Sequence, residues 1–182
     1  MTILNEKSSQ LFIIDIQEKL LNASFNKELI EKKALIMVKA AEILGIPITI
    51  TEQYPKGLGN TLPELKEAAG VRAAFFEKTS FSALENPSIA SAVDKLSRKQ
   101  VVIFGIETHI CVNQTASALL SKGYEVSVIS DACGSRKECE HNAGLERMKE
   151  NGAHILTTEI AIFEWLKGAR HINFKEVQSL IK

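Results

Sequence analysis

Residues 100–112 read QVVIFGIETHICV. Gln100 to Ile106 is short, apolar and β-branched, with no charged side chain to turn toward water. It therefore reads as a strand buried on both faces. Gly105 and Thr108 suit a turn. Cys111 stands where helical spacing begins, and the predicted helix Cys111–Ser121 is stopped by Gly123. A buried strand that turns straight into a helix is the repeating unit of a parallel α/β sheet.

The same alternation extends in both directions. Gln10–Ile16 (QLFIIDI), Ile46–Thr51 (IPITIT) and Ala73–Glu77 read as strands upstream; Glu125–Ser130 (EVSVIS) and His154–Thr157 read as strands downstream. Between the first two strands, Leu29, Ile30, Ala34, Met37, Val38, Ala41 and Leu44 recur at helical spacing within Asn26–Leu44, and Gly45 follows as a stop. Shorter helices are predicted at Pro63–Ala69, Asn86–Leu96, Glu138–Glu150, Glu159–Leu166 and Phe174–Ile181. Right-handed crossovers then give a doubly wound, six-stranded parallel sheet with helices on both faces. Neither repeats nor a Gly- or Pro-rich linker interrupts the pattern, so residues 1–182 are expected to form a single domain.

Composition narrows the function. Lys+Arg and Asp+Glu both number 22, for a formal net charge of +0, which disfavours a nucleic-acid partner needing cations to meet phosphate. No apolar run approaches the roughly 18 residues of a membrane span. The polar Met1–Gln10 lacks a signal-peptide layout, so a soluble, cytoplasmic protein is expected. Three cysteines, Cys111, Cys133 and Cys139, make no closed disulfide framework and fit a reducing compartment. Cys133, taken as partly buried, and Cys139 are read as spectators.

Open parallel sheets bind ligands at the carboxyl ends of their strands. Three predicted strand ends carry chemistry. Asp15 closes the first, Lys78 the third, and the fourth leads to Cys111. Singly, each has an ordinary reading: a capping carboxylate, a surface lysine, a small core thiol. Together they place a nucleophile, a proton acceptor and a cation along one sheet edge. The helix start at Cys111 is expected to lower its thiol pKa.

The segments Phe12-Ile13-Ile14-Asp15-Ile16-Gln17, Lys78-Thr79-Ser80-Phe81-Ser82-Ala83, Gly105 through Val112, and Ser130-Asp131-Ala132-Cys133-Gly134-Ser135-Arg136 occur in that order. With them the chain resembles the isochorismatase-like cysteine hydrolases, the superfamily of nicotinamidases and N-carbamoylsarcosine amidases, from about Leu11 to Leu166. The resemblance implies strand order 3-2-1-4-5-6 and a catalytic triad of Asp15, Lys78 and Cys111. It also implies a cis peptide at Ile106–Glu107 and an oxyanion hole from the backbone N–H groups of Glu107 and Cys111.

The chain departs from nicotinamidases after the second strand, where Thr51 to Gly59 (TEQYPKGLG) carries no histidine. His109, His141, His154 and His171 are dispersed, so no metal and no other cofactor is expected. Isochorismatase proper lacks the nucleophilic cysteine, so Cys111 argues against vinyl-ether cleavage. Gln17, Tyr54, Phe81 and His109 are the candidate contacts to a small-molecule substrate. His109 reads equally as a packing or capping residue, Trp165 as core, and Lys56 and Arg136 as surface charges.

The expected activity is metal-independent hydrolysis of a small amide or carbamoyl-type C–N bond through a thioester. The alternative is a non-catalytic scaffold that kept the fold for binding or assembly. The intact Asp15, Lys78 and Cys111 weigh against it. A nucleotide-binding reading fails for want of G-x-G-x-x-G after a strand or a P-loop. Apolar segments Ile160–Leu166 and Val177–Ile181 are expected to support a homo-oligomer, a dimer or larger.

Overall fold

The structure, a computed structural model, describes residues 3–182. Strands β1 (Ser9–Ile14) and β4 (Gln100–Gly105) lie side by side, and every residue of both is buried. Burial on both faces is what an apolar, non-alternating strand requires. Outward from β1 come β2 (Ile48–Gln53) and β3 (Ala74–Lys78); outward from β4 come β5 (Glu125–Ile129) and β6 (His154–Leu156). All pairs are parallel and the order is β3-β2-β1-β4-β5-β6, as expected. The order reverses between β1 and β4.

Nine α-helices connect or follow the strands among the described residues: α1 (Glu18–Ala23), α2 (Lys27–Ile43), α3 (Pro55–Leu58), α4 (Pro63–Ala69), α5 (Pro87–Lys95), α6 (Asn113–Ser121), α7 (Glu138–Glu150), α8 (Thr158–Leu166) and α9 (Phe174–Ser179). Helix α2 packs with α4 and α8, while α6 packs with α7. Of the predicted apolar stripe on α2, Ile30, Ala34, Met37, Val38 and Ala41 are buried, but Leu29 is exposed. No described helix is long and apolar enough to cross a membrane.

The differences from expectation have local causes. Strand β1 stops at Ile14 because Asp15 takes a left-handed backbone, φ 51°. Strand β2 starts after Pro47, which has no N–H for the ladder, and runs on to Gln53. Helices α1 and α3 were not expected. The first buries only Leu21 and the second buries nothing, so neither shows an apolar stripe. Tyr54 before α3 is also left-handed, φ 38°. The helix expected from Cys111 instead begins with a wide π turn, Thr108–Val112, that runs into α6.

Candidate active site

The sheet register assembles the site. Ile14 pairs with Thr51 on one side and Gly105 on the other, and Gln53 pairs with Lys78. Residues just past Ile14, Thr51 and Gly105 therefore meet at the order reversal, and Lys78 reaches in from β3. The close approach of β4 to β1 demands glycine at 105. A Cβ there would lie 1.9 Å from the Ile14 carbonyl oxygen, at a φ of +141°.

Lys78 Nζ donates to Asp15 Oδ2 at 2.6 Å, and both side chains are fully shielded from solvent. Such a charge pair persists only when its remaining polar atoms are also satisfied. They are. Thr51 Oγ1 donates to Asp15 Oδ1 at 2.7 Å. Lys78 Nζ also donates to Gln53 Oε1 at 2.7 Å, and the Ser80 and Phe81 carbonyls lie at 3.2 and 3.3 Å. Three ammonium hydrogens thus face four acceptors.

The Cys111 thiol is buried beside Asp15, whose charge acts on it. Burial raises the proton affinity of Asp15, outweighing the opposing pull of Lys78 and Thr51. Burial also pushes the Cys111 thiol up to about 12, helped by the nearby Asp15 charge and only partly opposed by Lys78. This corrects the expectation of a thiol acidified by a helix start. Cys111 lies inside the π turn, where desolvation and a carboxylate outweigh any dipole.

The turn bearing Cys111 is clamped to the loop after β5. The Ile106–Glu107 peptide is cis, and the Glu107 backbone partly offsets the rise in the Cys111 thiol's proton affinity. The Thr108 N–H donates to the Gly134 carbonyl at 2.8 Å, and the Gly134 N–H donates to the Gly105 carbonyl at 3.2 Å. Thr108 Oγ1 bonds His141 Nδ1 on α7 at 2.9 Å. Gly144 lets α7 approach this closely: a Cβ there would lie 2.8 Å from His109 Cα and 2.9 Å from its nitrogen.

The remaining candidates separate. Tyr54 and Phe81 are exposed on the loops flanking Lys78. Gln17, a candidate substrate contact, has its amide committed to backbone groups. It is wholly buried, donates to the Gln53 and Gly59 carbonyls, and accepts from the Gln53 N–H at 2.7 Å. It thereby suspends the loop between Tyr54 and Leu62, helped by Lys19 Nζ donating to the Gly57 carbonyl at 2.8 Å. His109 bonds Ser135 Oγ at 3.0 Å through Nδ1. Arg136 Nε donates to Glu107 Oε2 at 3.1 Å. Trp165 is core and Cys133 is fully rather than partly buried. Thr51 and Gln53 were missed. A polar residue at a β-branched strand end looks ordinary until the register shows what it faces.

A profile of the Isochorismatase domain matches residues 9–160. The chain belongs to the isochorismatase family. Isochorismatase domain-containing protein 2B of Mus musculus is 42% identical over 177 residues, covering 97% of this chain and 82% of that protein. The MAR1 ribonuclease structure from Caenorhabditis elegans has a TM-score of 0.93 at 39% identity, covering 99% of this chain and 92% of its own. The YcaC gene product of Escherichia coli, an octameric hydrolase of unknown specificity, shares the fold, with TM-score 0.90 at 23% identity over 100% of this chain and 95% of its own. The isochorismatase match spans Asp15, Lys78 and Cys111.

Proposed function

We propose that this isochorismatase-family chain is a cysteine hydrolase that cleaves a small amide or carbamoyl-type C–N bond through a thioester. The observation that carries the reading is one buried carboxylate, Asp15, paired with a buried ammonium and close enough to a buried thiol for its charge to act on it. Burial lifts the proton affinity of both the acid and the thiol, so the proton rests on sulfur and Asp15 is an improved acceptor.

Attack proceeds as Asp15 takes the Cys111 proton and sulfur bonds the carbonyl carbon. The carbonyl electrons move onto oxygen, which the N–H groups of Glu107 and Cys111 hold. One such donor is typically worth about 10²–10³ in rate. Asp15 then returns the proton to the departing amine as the C–N bond breaks, leaving a thioester. Water, deprotonated by Asp15, attacks the thioester; the acid leaves and sulfur recovers its proton. Lys78, with every N–H hydrogen engaged, acts as a fixed charge and not as a substrate ligand.

Tyr54 and Phe81 flank the approach as substrate contacts, with His109 beside the nucleophile. The proposal treats residues 1–182 as one hydrolase domain using no cofactor, and as a homo-oligomer through exposed Ile160 and Phe163 on α8. A second reading, RNA cleavage, is raised by the name of the nematode relative. The balanced charge favours the small substrate.

The test is a panel of primary amides, carbamates and one labelled RNA, read by ammonia release, RNA cleavage and intact mass of the protein. The expected result is ammonia from one amide or carbamate class, with an acyl adduct mapped to Cys111. Turnover undiminished in Cys111→Ala, or RNA cleavage alone, would overturn the proposal.

A further inference from the structure

Gln53 stands apart from the residues to which the mechanism assigns chemistry, yet its side chain is committed at both ends. Its Oε1 accepts from Lys78 Nζ at 2.7 Å, nearly as close as Asp15 Oδ2 at 2.6 Å. Its Nε2 donates to the Thr79 carbonyl at 2.8 Å, which fixes which end of the amide faces the ammonium. Its backbone N–H is held by Gln17 Oε1 at 2.7 Å, and its carbonyl accepts from Gln17 Nε2 at 3.0 Å. The amide therefore has little freedom to turn its oxygen away.

We propose that Gln53 is a positioning residue of the cysteine site, holding the Lys78 ammonium against Asp15 so that its charge offsets the carboxylate beside the thiol. The inference rests on the cysteine-hydrolase reading. A flexible lysine has many rotamers; one pinned between a carboxylate and a neutral acceptor has one. The charged groups acting on Cys111 are Asp15, from the end of β1, and Lys78, from β3. The nearby Glu107 and His109 side chains are engaged by Arg136 and Ser135. A neutral acceptor at position 53 anchors Lys78 without drawing its charge from Asp15. A carboxylate there would compete for it.

The test is iodoacetamide alkylation of Cys111 against pH, read by peptide mass spectrometry, with exposed Cys139 as the internal reference. Four proteins are compared: wild type, Gln53→Glu, Gln53→Met and Asp15→Asn. Gln53→Glu is expected to move the Cys111 profile up by about one pH unit, roughly tenfold slower at a fixed pH below the midpoint. Gln53→Met, which removes the acceptor without adding charge, moves it the same way by about two- to threefold, and carries the test if Gln53→Glu does not fold. Asp15→Asn moves the profile down, because the like charge beside the thiol is gone. A purely structural Gln53 would lower the melting temperature and leave the profile in place. That result, with Asp15→Asn still shifted, overturns the role of Gln53 and leaves the cysteine site standing. An unmoved Asp15→Asn profile overturns the cysteine-site reading and this inference with it.

Discussion

Replacing Lys78 with Met separates the charge of the side chain from its bulk. The apolar stem is retained, while the ammonium 2.6 Å from Asp15 Oδ2 is lost from a site with no exposure on either side chain. Burial already raises the proton affinity of Asp15 against the pull of Lys78. Without that pull, the folded variant holds its carboxyl proton to higher pH than wild type does, whereas the unfolded chain ionises it near the ordinary value of 3.8. Above that value the folded state binds one more proton than the unfolded state. Stability is therefore complete below about pH 4 and falls by about 1.4 kcal/mol per unit as pH rises. From pH 5 to pH 7 the variant should lose up to about 3 kcal/mol, and its gap to wild type widens wherever Lys78 keeps the wild-type carboxyl ionised. For a chain of this size, about 2–4 °C per kcal/mol gives a fall of up to roughly 6–12 °C. Thermal unfolding followed by circular dichroism at pH 5, 6 and 7 reads this directly. If the gap between variant and wild type is the same at pH 5 and pH 7, the carboxylate does not depend on Lys78 and the argument from burial is refuted.

Three other substitutions probe the supports. Thr51→Val removes the hydroxyl that donates to Asp15 Oδ1 at 2.7 Å. It should cost about 1–3 kcal/mol and shift the acid limb of any activity profile to higher pH. Gly144→Ala drives a methyl against the backbone of His109, costing about 1–3 kcal/mol; steady-state kinetics should show kcat falling more than KM as the cysteine turn moves. Arg136→Ala removes a side chain that is 65% exposed from its pair with Glu107. Its effect on melting should stay within about 1 kcal/mol, and a larger loss would mean the pair is more than a surface contact.

Much of this molecule was legible before its coordinates. Buried parallel strands announce themselves as apolar runs, and the order of strands came with the family resemblance. Asp15 and Lys78 were singled out because each stands at a strand end, and Cys111 because the fourth strand leads into its turn. What escaped depended on pairing across the sheet. Thr51 and Gln53 matter only because β2 runs in register with β1 and β3. A glutamine just past a strand end looks available to a ligand, and sequence does not reveal that backbone carbonyls engage the Gln17 amide. The thiol was misjudged because a helix start is visible in sequence and desolvation is not. Leu29 shows the converse limit, since helical spacing marks a stripe without saying how wide its cover is.

The loop from Tyr54 to Leu62 is tied by three side chains outside it: Gln17 and Lys19 from the segment after β1, and Glu52 from β2, which accepts from the Thr61 N–H at 2.7 Å. A span tied at set points and unconstrained between them is an interchangeable part. A chain that retains these tethers is free to vary what is strung between them, aromatic rim included, without disturbing the buried ion pair. On the proposed reading, diversification of what is recognised is thereby uncoupled from the buried groups assigned to bond cleavage. For a designer, the same tethers mark where a transplanted loop should be spliced.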